Sequence, residues 1–98
     1  MKILPEPLEF EWNKGNIRKN FQKHGISDKE SEEIFNNQPL CVSLDRKHST
    51  TTEVRYHALG KTDENRAIFL SFTVRGYRVR IISARPASRK ERGQYGKK

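Results

Sequence analysis

Four stretches of the chain carry apolar residues at strand-like spacing: LCVSL (40–44), TEVRYHALG (52–60), RAIFLSFTV (66–74) and YRVRIISA (77–84). All are rich in Val, Ile, Phe and Tyr. KTDEN (61–65) makes a hairpin loop and Arg75-Gly76 a tight turn, so the connections predict an antiparallel meander. Two helices precede it. In WNKGNIRKNFQKHG (12–25), Asn13 is the N-cap, Trp12 staples onto Ile17, and Gly25 is the left-handed terminator. Ile17 and Phe21 form the core-facing stripe of this helix. SDKE (27–30) has the form of a capping box, and its helix buries Ile34 and Phe35 before stopping at Asn36-Asn37. SRKE (88–91) repeats that form and opens a terminal helix reaching Tyr95. The order ααββββα defines an α+β domain, a helical hairpin packed on a four-stranded antiparallel sheet with a short C-terminal helix. Residues 1–9 read as an extended, Pro-interrupted arm, and residues 10–96 as a single domain.

Strand parity separates two faces. Val54, Tyr56 and Ala58 point one way, and Glu53, Arg55 and His57 the other. Val79 and Ile81 oppose Arg78 and Arg80, while Ile68, Leu70, Phe72 and Val74 oppose Ser71, Thr73 and Arg75. One face is a core wall beneath the helices. The other gathers a glutamate, a histidine and several arginines, more charge than solubility alone requires.

The net charge of +8 sharpens this picture because it is unevenly placed. Residues 75–98 hold nine basic side chains against Glu91 alone, while residues 1–74 balance at eleven of each sign. A field of that sign attracts phosphate backbones or an acidic protein partner. Cys41 is the single cysteine, which excludes an internal disulfide and a cysteine-based zinc site and suits a reducing cytoplasm. Pro5, Pro7, Glu6 and Glu9 break up the stretch where a signal peptide would be apolar, and no apolar run is long enough for a membrane span.

Cleaving RNA without a metal requires a base for the 2′-hydroxyl, positive charge for the phosphorane and an acid for the 5′ oxygen. Glu53, His48 or His57 would serve as base, and arginines among Arg55, Arg78, Arg80 and Arg85 would clamp the phosphate. A histidine or Tyr95 would supply the acid. His24, His48 and His57 lack metal-ligand spacing, and Asp45-x-x-His48 is a poor zinc signal. No phosphate-cradling Gly-rich loop is present, so neither metal nor cofactor is expected.

FEWNKGNIRKNFQKHGI, EEIF, DRKHS, EVRYHALG and RVRIISARPASRKERGQY occur in the order and spacing of the BrnT family, which the chain resembles from about Phe10 to Tyr95. That resemblance implies a RelE-like fold and a metal-independent endoribonuclease, the toxin of a type II toxin–antitoxin system, which arrests translation. It also implies a cognate BrnA-like antitoxin with a ribbon-helix-helix DNA-binding domain, joined to the toxin two-to-two and reaching operator DNA through the antitoxin. Carried onto this chain, it points to Arg55, Arg80 and Arg85, with Glu53, His48 and Tyr95, as catalytic residues. Arg78, Lys23, His24, Arg89 and Arg92 would bind RNA. The alternative is a non-catalytic basic nucleic-acid-binding module, and a third reading is a pure interaction protein whose basic face docks an acidic partner segment.

Overall fold

The computed structural model describes residues 3–95. The ends of residues 1–9 and 10–96 at Met1, Lys2 and Gly96, and the basic Lys97 and Lys98, lie outside them. Helices α1 (Lys19–His24) and α2 (Asp28–Glu33), the latter prolonged by a 3-10 turn (Ile34–Asn36), precede strands β1 (Cys41–Leu44), β2 (Arg55–Lys61), β3 (Ala67–Arg75) and β4 (Arg78–Pro86). Helix α3 (Arg89–Gln94) follows. The strands form one antiparallel sheet in the order β1-β2-β3-β4. The ααββββα order is therefore the one the sequence predicts.

Both capping boxes are formed. Ser27 Oγ accepts the N–H of Glu30 at 3.0 Å and Glu30 Oε1 accepts that of Ser27 at 3.0 Å. Ser88 and Glu91 repeat the exchange at 3.1 and 2.8 Å. Each exchange satisfies backbone donors that a helix start leaves open. The core face of the sheet carries Ala58, Ile68, Leu70, Phe72, Val79, Ile81 and Ala84, all buried, against Ile26, Ile34 and Phe35. Phe10, Phe35 and Phe72 meet edge-on in sequence, with centroids 5.5 and 5.3 Å apart.

Three local expectations fail, each for a physical reason. The first helix begins at Lys19, not after Asn13, because residues 13–17 close a separate turn. Asn13 Oδ1 accepts the N–H of Gly15, and Arg18 then turns left-handed at φ 58°. That reversal reorients the helix: Asn16 and Asn20 are buried, while Ile17 and Phe21 are 45% and 59% exposed. The staple from Trp12 to Ile17 is consequently replaced by a bond from the indole N–H to Glu32 Oε2 at 2.6 Å. Val54 is exposed rather than core, since Thr50 and Glu53 close their own turn and delay β2 to Arg55. The last hairpin turns at Gly76-Tyr77, where Gly76 takes φ 59°.

The asparagines point inward because the outer edge of β4 needs partners. Glu9 of the arm and Glu11 just after it pair with Val79 through two backbone bonds of 2.8 Å, one residue of parallel bridge. Beyond that point Asn16 Nδ2 donates to the carbonyls of Ile81 and Glu11 at 3.1 and 3.0 Å. Asn20 Oδ1 accepts the N–H of Ala84 at 2.9 Å. Two side-chain amides thus stand in for a missing fifth strand. Asn16→Ala should lower the urea-derived unfolding free energy by about 1–3 kcal/mol, since buried backbone groups lose their partner. Phe21→Ser should change it by less than about 0.5 kcal/mol, the reverse of what an amphipathic reading of the helix implies.

Candidate active site on the open face of the sheet

The face away from the core is organised in cross-strand rows. Arg55, Thr73 and Arg80 are aligned on β2, β3 and β4. His57, Ser71 and Ser83 form the next row, and Leu59, Phe69 and Arg85 the one after. Strict alternation would turn Arg85 to the side opposite Arg80. A bulge prevents this: Phe72 faces Ile81 and Ser71 faces Ser83, so Ile82 is the extra residue. Parity inverts there, and Arg80 and Arg85 share the open face.

Arg55 and Arg80 flank Thr73 with two strand spacings between them, roughly 10 Å at the backbone. Thr73 is buried and its hydroxyl donates to the carbonyl of Val54 at 2.7 Å, fixing the start of β2 against β3. Beside this row Glu53 holds two guanidiniums, Arg55 Nε at 3.1 Å and Arg75 Nη2 at 3.1 Å. The hydrogen bond from Arg55 to Glu53 is made by Nε. Arg75 first, and Arg55 second, hold the Glu53 carboxyl below the ordinary glutamate range. A carboxylate so stabilised is a weak base at neutral pH.

Arg80 is the most enclosed of these cations, with its side chain 14% exposed. Its Nη1 is buried without a hydrogen bond and has Glu11 Oε2 at 3.8 Å. A buried donor left unspent is costly unless a ligand meets it. Gly15 makes room for this guanidinium, because a Cβ there would sit 2.8 Å from Arg80 Nη2. Together Gly15, Asn16, Lys19, Glu53, Arg55, Arg75, Arg80 and Ile82 line a cleft of about 180 Å³. A larger hollow of about 650 Å³ lies between the arm and Val42, but its lining is almost wholly apolar and offers no cation to a phosphate.

The other expected residues fall elsewhere. His48 lies in the β1–β2 loop, its Nδ1 2.9 Å from Asp45 Oδ2, and His57 Nε2 reaches the same oxygen at 3.1 Å. Arg85 lies over the Phe69 ring, 4.5 Å from its centroid, and makes a bidentate pair with Glu91 at 2.8 Å on both arms. Tyr95 donates its hydroxyl to the carbonyl of Pro39, and Lys61 Nζ stands 5.3 Å from its ring. Lys61 is six residues along β2 from Arg55, so Tyr95 and the cleft are at opposite ends of the sheet, about 20 Å apart. Burial, reinforced by Cys41, raises the Tyr95 phenol. Arg78 pairs with Glu9 at 3.6 Å, and Arg92 donates to the carbonyl of Ala87 at 2.9 Å. Lys23 and His24 in the last turn of α1, and Arg89 on α3, are exposed.

Sequence reasoning left out Arg75, Gly15, Lys19 and Asp45. Arg75 was visible in the strand parity; Gly15 and Lys19 carried no signal, since only the docking of α1 on β4 brings them to Arg80. Among the described residues no cluster of three His, Cys, Asp or Glu is arranged to hold a metal ion, and no helix is long and apolar enough to cross a membrane.

A family model described as the ribonuclease toxin BrnT of a type II toxin–antitoxin system matches residues 12–91. The chain belongs to that family. No curated protein matches it. Membership in the BrnT family makes it a ribonuclease toxin with an RNA substrate and a protein antitoxin as partner. The matched span includes the whole cleft and both residues of the Arg85–Glu91 pair.

That pair gives the chain's C-terminal segment a pH signature. The hydrogen bonds from Arg85, opposed by burial and helped by the N–H of Ser88, bring Glu91 from 4.5 down to about 2. A folded value below the unfolded one stabilises above about pH 4.5, and this contribution disappears as pH falls towards 2. Arg85→Met should therefore narrow the difference in melting temperature from the unaltered protein between pH 5 and pH 2, as followed by circular dichroism. A difference independent of pH would contradict the pairing.

Proposed function

We propose that this BrnT protein is a metal-independent endoribonuclease that cuts RNA through attack of a 2′-hydroxyl on the adjacent phosphate, leaving 2′,3′-cyclic phosphate and 5′-hydroxyl ends. The observation that carries the reading is the cleft lined by Arg55, Arg75, Arg80 and Glu53, with a buried guanidinium nitrogen of Arg80 that makes no hydrogen bond. Phosphoryl chemistry of this kind is driven chiefly by preorganised positive charge. Arg55 and Arg80 take the non-bridging oxygens of the scissile phosphate, and Glu53 orients the guanidiniums rather than moving a proton. Proton transfer at the 2′-hydroxyl is a separate requirement that the guanidiniums do not meet. Arg85 and Tyr95 hold α3 across the open face, and Arg78, Lys23, His24, Arg89 and Arg92 contribute to the field that draws RNA in.

In the cell this activity arrests translation and growth in the cytoplasm. A BrnA-like antitoxin with a ribbon-helix-helix domain neutralises it in a two-to-two complex that contacts operator DNA through the antitoxin. The concentration of the excess positive charge in the chain's last quarter supports both an RNA substrate and an acidic inhibitory segment.

The decisive assay incubates the purified protein with end-labelled RNA in EDTA, with and without translating ribosomes. Cyclic-phosphate fragments are expected, and Arg80→Ala should slow their appearance by about 10²–10³-fold. Gly15→Ala should also lower the rate, because its Cβ displaces the Arg80 guanidinium while leaving the fold intact by circular dichroism. RNA that stays whole in both conditions, yet is retained with steep salt dependence, would make the protein a binding module instead.

A further inference from the structure

Asp45 is the one charged side chain among the buried described residues, 6% exposed. It follows directly on β1, and its N–H extends the ladder by donating to the carbonyl of Arg55 at 2.9 Å. An aspartate that merely closes a turn is satisfied by one backbone N–H, as Asp45 Oδ1 is by that of His48 at 3.3 Å. Its other oxygen does more. Oδ2 lies 2.9 Å from His48 Nδ1 and 3.1 Å from His57 Nε2, two imidazoles on a single oxygen.

Burial alone would push the Asp45 carboxyl up, but the bonds from His48 and the charge of His57 outweigh it and hold the group below the ordinary aspartate range. An ionised oxygen only accepts, so the His48 nitrogen bonded to it carries hydrogen, while His57 lies at ion-pair distance from the same oxygen. This selects the tautomer of His48. His48 keeps its proton on Nδ1 and turns the lone pair of Nε2 outward, on a side chain that is 58% exposed. His57, only 31% exposed, packs against Phe69 with centroids 4.9 Å apart and acts as the inner anchor.

The cluster is also tied to the phosphate clamp. Ser49 Oγ donates to the carbonyl of Asp45 at 2.7 Å and accepts the N–H of Arg55 at 2.9 Å. His57 is two residues from Arg55 on the same face of β2, about 7 Å along the strand. Arg46 and Lys47 follow Asp45 in the turn, Cys41 and Glu91 line with His57 a hollow of about 260 Å³ beside α3, and Arg85, paired with Glu91, lies over the Phe69 ring that His57 packs against.

From this geometry we infer that His48 is the general base of RNA cleavage, with Asp45 and His57 as the positioning residues that present its Nε2 in the proton-accepting form. The assignment rests on the ribonuclease reading above. Nε2 of His48 takes the 2′-hydroxyl proton while the bond from O2′ to phosphorus forms. The bond from phosphorus to O5′ breaks, O5′ takes a proton from water, and the imidazolium returns its proton to solvent. Glu53, held ionised by two arginines, is not needed for this step.

Two measurements on the purified full chain test the inference. Long-range proton–nitrogen NMR should show His48 as the Nδ1–H tautomer, and Asp45→Asn, which replaces the accepting oxygen by an amide, should shift it towards Nε2–H. In the EDTA cleavage assay His48→Gln should lose about 10²–10⁴-fold in rate. Asp45→Asn and His57→Gln should lose about 10–100-fold in kcat with KM little changed, and both should displace the acid limb of the pH–rate profile. His48 is exposed, so its variant folds regardless of how Asp45→Asn behaves. Cleavage by His48→Gln at the unaltered rate, or His48 found as Nε2–H in the unaltered protein, overturns the inference and leaves the ribonuclease reading standing. An unaltered protein that cuts no RNA even with ribosomes overturns both.

Discussion

The outer edge of β4 is the constraint on which the remaining architecture turns. A strand at the edge of a sheet exposes unpaired N–H and C=O groups that must find partners or water. Here the arm covers one part and the amides of Asn16 and Asn20 cover the next. Those two residues are four apart, Asn16 in the turn before the left-handed Arg18 and Asn20 in the helix that starts at Lys19, and both reach the same strand. The cleft is a by-product of the same docking. Once Asn16 is bonded to the carbonyl of Ile81, its neighbour Gly15 lies against Arg80, and Lys19 closes the side.

The arginines of the open face are alike in sequence and unlike in circumstance. Arg85 spends its planar fork on Glu91 and its flat side on Phe69, which ties α3 to the sheet. Arg55 and Arg75 share a carboxylate that orients them but is too stabilised to compete as a proton acceptor. Arg80 is enclosed and incompletely paired. The arrangement separates cations that build the surface from cations available to a phosphate. In a ribonuclease toxin that separation matters, because positive charge already neutralised within the protein cannot stabilise a developing phosphorane.

The same distinction applies to the histidines. His24 ends a short helix in solvent. His48 and His57, nine residues apart, converge on one carboxylate because the turn after β1 and the antiparallel return of β2 bring them together. The aspartate is buried by that convergence, and its burial is tolerable because a ring nitrogen and the backbone N–H of His48 bond to it and His57 lies within ion-pair distance.

Much of this was present in the chain itself. Capping boxes, the terminator Gly25 and the strand periodicities depend on residues within a few positions of each other, so they specified the ααββββα order and both capped helices without reference to the fold. The excess of arginine on one face and the family motifs likewise pointed to RNA. What the sequence misjudged was the inward face of α1, where apolar spacing favoured Ile17 and Phe21 but an unpaired strand edge required Asn16 and Asn20. It also gave no hint of the bulge at Ile82, which puts Arg85 on the face of Arg80, or of the meeting of His48 and His57 at Asp45. Local chemistry determined the elements. Which side chains share a face, an edge or a carboxylate was decided by strands and helices distant in sequence, because only their packing sets which hydrogen-bonding groups are left without water.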